Sequence, residues 1–568
     1  MIYSKVFIPI ASCLLNFLAE KIRAEMMDYR VVSTLNKTLY SSMSVVVDDS
    51  VYHLYPNTTY PFLFSGKAPK AKVGYRYVKI TDNASNYLSE SFLRSPQDNT
   101  STLHEFFNRT WNRHPNVQLP KIYPLSIPTN RLVSLLHKDD EIPTIHFSGN
   151  QTELDLMHHN PPTDPTSVTT VVSYVSLEDA FQFNNVELSL AGRSSVMMPK
   201  LSYIFKLDKA DSLFGYRRIK LRALALDPSY IREQIGYDIL SSSGVATTKF
   251  SYVRVFMNDR ELGLFGLIEA FQNPWLANEF NGGDVFYKNG YLYQGNSEDP
   301  YPGYTSDLAY YKDNLTAYAD GQYKIKEEEK GGSKDNFQPL MDFTRFIAEA
   351  PVNTSDAVTI WNKAMDTEGF LRSMAIEVLG GYSDGYIVNA NNFYIYQNLE
   401  TNQYVYIPAD LDLCLGNGLR NVSQLLYVNY TDFTGWGNRP LLNRILLIRD
   451  FYDRFLYLLQ DLNNKLFNME AVEPRINDLV DMIREDVEWD KTLPGVAQDT
   501  FDGLVHNLPP SFRNDPVLWD IVKRIISNIS FNNAINDSTS QFVTYMSLKP
   551  WISRMHQNTN NFFSQNSS

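Results

Sequence analysis

The sequence predicts an α+β protein in three stretches: a short all-β beginning, a middle of strands with single helices between them, and a mainly helical end. Three observations carry this. From about Tyr29 to Ile80, β-branched and aromatic residues alternate with polar ones in YRVVSTL, SMSVVVDD, YPFLFSGK and VGYRYVKI, broken by Asn, Asp, Gly and Pro. From Pro143 the strand signal returns in IPTIHFSG, VTTVVSYVS, VELSLAGRSS, SYIFKLD, RRIKLRALA, YVRVFMND and LGLFGLIEAF. Late in the chain, apolar residues recur at helical spacing in LLNRILLIRDFYDRFLYLLQDLNNK, EAVEPRINDLVDMIRED and DPVLWDIVKRIISNI.

The first stretch predicts a small β-sandwich-like domain over 26–82. Residues 83–140 are rich in Asn, Ser, Thr and Pro and read as a linker region with some helix. The main domain follows over 141–560. Its clearest early helix is DPSYIREQIGYDIL, with Asp227 as N-cap, Pro228 at the first helical position, and Ile231, Ile235 and Ile239 at spacing four. YVRVFMND and LGLFGLIEAF form a pair turning at Asn258–Gly263. FQNPWLANEFNGGD predicts a short helix ending at two glycines. The charge run KIKEEEKGGSKD reads as a solvated insertion. Helices return at PLMDFTRFIAEA and TEGFLRSMAIEVLGG, strands at NNFYIYQN and QYVYIPAD, and the chain closes on a final turn near Trp551.

Composition narrows the function classes. A chain of 568 residues with 43% hydrophobic and 13% aromatic content can bury a large core divided among two or three domains. A net charge of −13 repels nucleic-acid phosphates, and no run of Lys and Arg overrides it, so no nucleic-acid partner is expected. One Lys precedes the apolar run Val6–Ala19, which has the length of a signal-peptide core and is short for a bilayer span; residues 1–25 read as a signal peptide. N-x-S/T sequons begin at Asn36, Asn57, Asn83, Asn99, Asn108, Asn150, Asn314, Asn353, Asn421, Asn429, Asn528, Asn536 and Asn566, a density suited to a secreted glycoprotein. Cys13 and Cys414 are the two cysteines, so removal of the signal peptide leaves no pair for a disulfide. No transmembrane span and no GPI-type hydrophobic tail are expected.

The chemistry concentrates in GGYSDGYIVNANNFYIYQN and YVYIPADLDLCLGNG. Phosphoryl transfer needs a carboxylate near the acceptor hydroxyl and oxygen ligands for Mg²⁺ from a neighbouring loop. Asp384 and Asn389 form an Asp-x4-Asn loop, and Asp410 and Asp412 compete for the second metal-binding role. The same residue types also stabilise ordinary turns. The order of elements adds weight: strands with a Lys, a helix, two strands, a helix running into the Asp loop, a strand pair, an acidic loop and a helical remainder. That is the chain order of a two-lobed protein kinase, with an N-lobe at about 141–270 and a C-lobe at about 271–560.

At this level of detail the sequence resembles the CotH kinase family of atypical, spore-coat-type protein kinases, and within it the secreted and surface members of mucoralean fungi. The resemblance is carried by SLAGRSSVMMPKLSYIFKL, LALDPSYIREQIGYDIL, VRVFMNDRELGLFGLIE, the SDGY at Ser383–Tyr386, IPADLDLCLG and DVEWD. It implies Asp384 as the catalytic-loop acid, Asn389 as a magnesium ligand, Asp410 as the principal metal-binding acid and Asp412 as its alternative or supporting ligand. It implies Lys200 as the lysine on the ATP phosphates, with Lys206 as the other choice. Gly192 through Ser195 become a backbone cradle to which Arg193 adds charge. Glu269 is either a partner of the phosphate-binding lysine or a second metal, or a solvated strand end.

The implied activity is transfer of the ATP γ-phosphate, with Mg²⁺ or Mn²⁺, to Ser or Thr of coat or surface proteins. The alternative is a catalytically inactive kinase-like coat protein or adhesin binding host or wall components. A third class, an unrelated carbohydrate-active enzyme, also pairs carboxylates. Two departures matter. Invasin-type members carry a Gly-rich acidic insertion between the DGY segment and the acidic loop, and this chain runs almost directly from one to the other, which weakens the case for a host-cell receptor as partner. Cys414 stands where the family commonly has Thr.

Overall fold

The computed structural model describes residues 25–35, 39–81, 86–159, 167–192, 194–297, 303–320, 322–427 and 429–566. Residues 1–24 of the segment read as a signal peptide, Arg193, and the sequons at Asn36 and Asn83 lie outside the described residues.

The alternating pattern near the N-terminus folds into seven strands, β1 (Met26–Val32), β2 (Ser42–Val47), β3 (Ser50–Pro56), β4 (Leu63–Pro69), β5 (Tyr75–Ile80), β6 (Tyr87–Ser89) and β7 (Glu105–Phe106), ordered β6-β5-β2-β3-β4-β1-β7. Period two puts Met27, Tyr29 and Val31 of β1, Met43 and Val45 of β2, and Tyr75 and Tyr77 of β5 in one core. Residues 86–140, read as a linker, carry buried side chains. Glu90 and Arg94 pair at 2.7 Å, the hydroxyls of Tyr75 and Tyr77 donate to Glu105, and Arg109 reaches Asp486 far along the chain. Polar residues that satisfy one another are buried without a hydrophobic signature, so the packing of this stretch is invisible to hydropathy.

Next, β8 (Thr144–Gly149), α1 (Gln151–His159), β9 (Ser167–Val175), β10 (Ala180–Ala191), β11 (Ser202–Lys206), β12 (Arg218–Arg222), α2 (Arg232–Ser242), β13 (Phe250–Met257) and β14 (Arg260–Glu269) follow in sequence. The seven strands close into a barrel in the order β10-β11-β12-β14-β13-β8-β9, with β8 parallel to β13. Phe147, Tyr174, Leu188, Tyr203, Phe205, Ile219, Leu221, Val253 and Phe265 fill it. Helix α2 starts at Arg232, five residues beyond the expected N-cap. Asp227 instead organises a turn, accepting from Ser229 N–H at 2.9 Å, and still reaches the helix by accepting Arg232 N–H at 2.9 Å.

Helix α3 (Trp275–Phe280) ends at Gly282 and Gly283, both at positive φ, as expected. A four-stranded sheet follows in the order β16-β15-β17-β18, from β15 (Leu292–Gly295), β16 (Tyr323–Glu327), β17 (Phe393–Asn398) and β18 (Gln403–Pro408). The KIKE part of the charge run is therefore the edge strand β16, not an insertion free of the sheet; charged side chains on an edge discourage pairing with another chain.

Helices α4 (Gln338–Glu349), α5 (Thr367–Gly380), α6 (Tyr386–Asn389), α7 (Pro440–Ile445), α8 (Arg449–Lys465) and α9 (Met469–Asp490) build the remaining core. Asp366 caps α5 by accepting Gly369 N–H at 3.0 Å. The run expected as one helix divides into α7 and α8, and α8 presents Phe451, Phe455, Leu458, Leu459 and Leu462 to α5 and its neighbours. Each such side chain contributes about 1.5–3 kcal/mol on burial. The expected final turn is instead a 19-residue helix, α10 (Leu548–Asn566). Its Trp551 sits on Gly381, where a Cβ would meet the indole at 2.2 Å. Among the described residues no helix is long and apolar enough to cross a membrane.

Candidate functional site

Two loops meet at a single small cavity, and one strand faces the second of them. The first loop begins where α5 stops at Gly381, whose φ of 59° is the left-handed end that glycine favours. Ser383 N–H then donates to Leu413 O at 3.1 Å, tying this loop to the acidic one. Asp384 follows. Its Oδ1 accepts from Asn389 Nδ2 at 2.8 Å, and its Oδ2 accepts from Asn391 Nδ2 at 3.1 Å and Asn392 Nδ2 at 2.9 Å. Burial raises the Asp384 pKa above the usual value; the three amides oppose this, and the nearby charge of Asp410 adds to it.

The second loop leaves β18 at Pro408. Ala409 N–H donates to Asn392 O at 3.0 Å, joining the loops a second time. Asp410 sits at φ 56°, a left-handed conformation that aspartate tolerates better than most residues, and its N–H donates to Tyr237 Oη on α2 at 3.1 Å.

Strand β12 supplies the cations. Its sequence Arg-Ile-Lys-Leu-Arg sends Ile219 and Leu221 into the barrel core and leaves Arg218, Lys220 and Arg222 on the opposite face. Lys220 Nζ lies 3.4 Å from Asp410 Oδ2. Arg222 Nη2 contacts Asp410 Oδ1 and lies 2.9 Å from Asp412 Oδ2, while its Nε donates to Glu233 Oε2 on α2 at 2.9 Å. Burial would raise the pKa of Asp410, but Arg222 and Lys220 more than offset it and hold the carboxylate low. Asp412 goes the other way: burial raises it, Arg222 only partly compensates, and the carboxylates of Asp410 and Glu233 push further.

The cavity measures about 10 Å³ and is lined by Glu377, Asp384, Asn392 and Asp410, with Tyr382 and Tyr406 among its walls. The sequence-derived residues Asp384 and Asp410 thus share one space, and Asp412 joins through Arg222. Asn389 does not line it: its amide nitrogen serves Asp384 and its oxygen accepts from Arg420 at 3.0 Å, so the cavity's amide is that of Asn392.

The other residues singled out are engaged elsewhere. Lys200 Nζ is 2.5 Å from both Asp490 Oδ1 and Leu264 O, over the ring of Phe265, where burial lowers its pKa against the pull of Asp490. Lys206 pairs at the surface with Glu187 at 2.9 Å. Glu269 is fully buried and not a solvated strand end. It contacts Arg131, lies 3.4 Å from His137 Nε2, and accepts from Thr248 Oγ1 and from Lys249 N–H at 2.7 Å, partners that outweigh the burial penalty and lower its pKa. Sequence reasoning passed over Lys220, Arg222, Glu233 and Glu377. A signal for the first two was present: three cations at period two in a strand whose other face is Ile and Leu.

The donor set fits a hard divalent cation. Its oxygens come from carboxylates and an amide, the ligand types preferred by Mg²⁺ and Mn²⁺. Asp410, Asp412 and Glu233 share the two contacting cations Lys220 and Arg222, three acids to two cations, an imbalance that a dication would relieve. Among the described residues no three His, Cys, Asp or Glu side chains are already drawn together as a metal cluster.

Residues 188–508 match the family described as CotH kinase protein, more than half of the chain. The chain belongs to the CotH kinase family. Relatives include Invasin CotH2 of Rhizopus delemar, 26% identical over 455 residues that cover 77% of this chain and 74% of that one. Spore coat protein homolog 1 of the same organism is 24% identical over 72% of this chain and 66% of its own length. Inner spore coat protein H of Bacillus subtilis is 26% identical over 54% of this chain and 78% of its own. Among solved structures, the Helicobacter pylori proinflammatory kinase CtkA aligns over 54% of this CotH-family chain and 95% of its own, at 10% identity and a TM-score of 0.21.

Proposed function

We propose that this CotH-family chain is a secreted or surface-borne atypical kinase that transfers the γ-phosphate of ATP to Ser or Thr of coat or surface proteins. The observation that carries the reading is the meeting of Asp384 and Asp410 at one cavity, beside a strand whose Lys220 and Arg222 face the acidic loop. The Arg222–Glu233 bridge joins that strand to α2, as a strand lysine and a helix glutamate are joined in protein kinases. This favours the division into an N-lobe over about 141–270 and a C-lobe over about 271–560.

In this reading Asp384 takes the proton of the acceptor hydroxyl, oriented by the amides of Asn389, Asn391 and Asn392. Asp410, Asp412 and Asn392 hold Mg²⁺ or Mn²⁺, which when bound neutralises phosphate charge. Lys220 and Arg222 bind phosphate oxygens and place the nucleotide. The names of the relatives, invasins and spore coat proteins, support a secreted or spore-surface location. So do the exposed sequon residues Asn99, Asn108, Asn150, Asn314, Asn353, Asn528 and Asn536, which are open to glycosylation.

The test is ATP-dependent labelling, with Mn²⁺ or Mg²⁺, of a Ser-rich acceptor or of the chain itself. Asp384→Ala and Asp410→Ala should each reduce it at least about 10³-fold without loss of fold, and undiminished labelling in both defeats the assignment. One observation favours the inactive, adhesin-like alternative: Arg222 sits on Asp410 and Asp412, and the cavity between the loops holds no more than about one water. Calorimetric titration with ATP and Mn²⁺ separates the two. The alternative predicts no heat of binding, whereas the kinase reading predicts saturable binding lost in Asp410→Ala.

A further inference from the structure

The loop that carries Asp384 is built on α6, a helix of four residues with no side-chain N-cap. So short a helix does not hold itself in water. Two side chains from elsewhere in the fold grip it from opposite sides. Glu377, in the last turn of α5, accepts the N–H of Ile387 at 2.6 Å through Oε1. Arg439, just before α7, donates through Nε to Ile387 O at 3.0 Å and through Nη2 to Val388 O at 2.8 Å. The peptide groups of one helical turn are therefore fixed on the donor side by the Glu377 carboxyl oxygen and on the acceptor side by the Arg439 guanidinium, whose charge puts its two bonds in the stronger class.

Two glycines make the grip sterically available. A Cβ on Gly385 would meet Glu377 Oε1 at 2.5 Å, and one on Gly435 would meet Ile387 O at 2.3 Å. Gly435 also has a φ of 84°, which other residues rarely adopt. Glu377 is only 2% exposed, so an ionisable carboxyl group is kept at a buried position where Gln or Met would pack. Downstream of the gripped turn lie Asn389, Asn391 and Asn392, the three amides that hold the Asp384 carboxylate.

We propose that Glu377 and Arg439 are a positioning pair that sets the height and rotation of α6, and through its asparagines aims Asp384 at the acceptor hydroxyl. The inference rests on the reading of Asp384 as proton acceptor given above. Neither residue is required to touch nucleotide or acceptor. Their loss should lower turnover and leave nucleotide binding intact, because Lys220, Arg222 and Asp410 are held by other contacts.

The test compares Glu377→Ala, Glu377→Gln, Arg439→Gln and the remote core variant Ile476→Val as a stability control. Three readouts are needed: kcat and KM for ATP, calorimetric Kd for Mn²⁺-ATP, and amide hydrogen exchange at Ile387 to Asn389. Glu377→Ala should lower kcat about 10²-fold, the scale of a small misplacement, with KM and Kd within about three-fold. Its Ile387 amide should exchange at least about ten-fold faster than in the control. Glu377→Gln keeps an acceptor for that N–H and should stay within about ten-fold of wild type in kcat. If Glu377→Ala does not fold, Glu377→Gln and Arg439→Gln carry the test, the latter with the larger loss. Unchanged kcat and exchange, or a fall in kcat matched by an equal loss of nucleotide affinity, overturns the proposal. If the wild-type chain transfers no phosphate, the kinase reading falls, and exchange at Ile387 alone decides whether the pair holds the loop.

Discussion

Asp486 and Asp410 are both carboxylates set against arginine, the first fully buried and the second with 31% of its side chain exposed, and the charge ratio around them is reversed. Asp486 is completely buried and has two guanidinium partners: Arg254 through Nε at 2.7 Å and Nη2 at 2.8 Å, and Arg109 through Nε at 2.9 Å. Asp410 must share its one guanidinium with Asp412 and Glu233, with Lys220 at 3.4 Å as its second cation. The first arrangement is neutralised in excess and joins three distant segments, namely the end of the N-terminal β region, the barrel strand β13 and helix α9. The second leaves negative charge unspent at a cavity. A buried ion pair closed on itself reads as architecture, whereas an under-neutralised carboxylate group has capacity for a cation that the fold does not supply.

The largest effect should come from Asp486→Ala. It leaves Arg109 and Arg254 facing each other without a counter-charge, and breaking a buried pair in this way costs about 3–5 kcal/mol. Asp410→Ala, by relieving a crowded group, should cost far less. Chemical denaturation of both variants measures the difference, and equal losses would erase the distinction between the two regions.

Glu377, which lines the cavity, and Asp486 should also respond to pH with opposite signs. Burial lifts Glu377, beside Asp384, from the usual 4.5 to about 8. Between those values the unfolded chain has released the proton and the folded chain keeps it. The contribution to stability is therefore full below 4.5 and is lost as pH rises to about 8, at about 1.4 kcal/mol per unit. Asp486 is the reverse: burial is outweighed by Arg109 and Arg254, its folded pKa lies below the usual 3.8, and its contribution is present above 3.8 and lost as pH falls below it. Stability of wild type relative to Glu377→Gln should thus decline from pH 4.5 to 8, and the penalty of Asp486→Asn should shrink in acid. Parallel pH profiles for wild type and Glu377→Gln would show that Glu377 is ionised in the folded state.

A third effect is smaller and more specific. If Mg²⁺ or Mn²⁺ binds at Asp410, the folded state gains about 2.7 kcal/mol at a hundred times Kd. Thermal melts should show a metal-dependent rise in wild type and in Asp486→Asn, and none in Asp410→Asn. A rise retained by Asp410→Asn would place the cation elsewhere.

What the sequence disclosed follows the same division. Period-two alternation over β8 to β14 was legible because each strand has an apolar face turned into a barrel, and Asp384, Asp410 and Asp412 were legible because loops expose their chemistry in a short span of sequence. The partners of those acids were not. Lys200 was chosen with Lys206 as the other candidate and Lys220 was passed over, but the Lys200 side chain is committed to Asp490, 290 residues later. Pairing across such separations depends on the closed barrel and on the approach of α9, neither of which is encoded locally. The same holds for residues 86–140, whose ion pairs replace the apolar periodicity that marks packed segments, and for α10, where polar spacing hid a helix around Trp551.

The smallest effect separates the two acids of the loop. Asp412 shares Arg222 with Asp410, but burial and its acidic neighbours raise its pKa where Arg222 and Lys220 lower that of Asp410. Replacing Asp412 with Asn removes a charge that is poorly compensated and keeps an oxygen for Arg222. Stability near neutral pH should therefore stay within about 1 kcal/mol of wild type or rise slightly. Metal affinity should fall much less than in Asp410→Asn, because Asp410, Asp384 and the Asn392 amide remain at the cavity. Denaturation and metal titration of the two variants side by side make the ranking measurable. A larger loss of metal response in Asp412→Asn than in Asp410→Asn would exchange their roles, with Arg222 then belonging to Asp410 as a structural partner much as Arg254 belongs to Asp486.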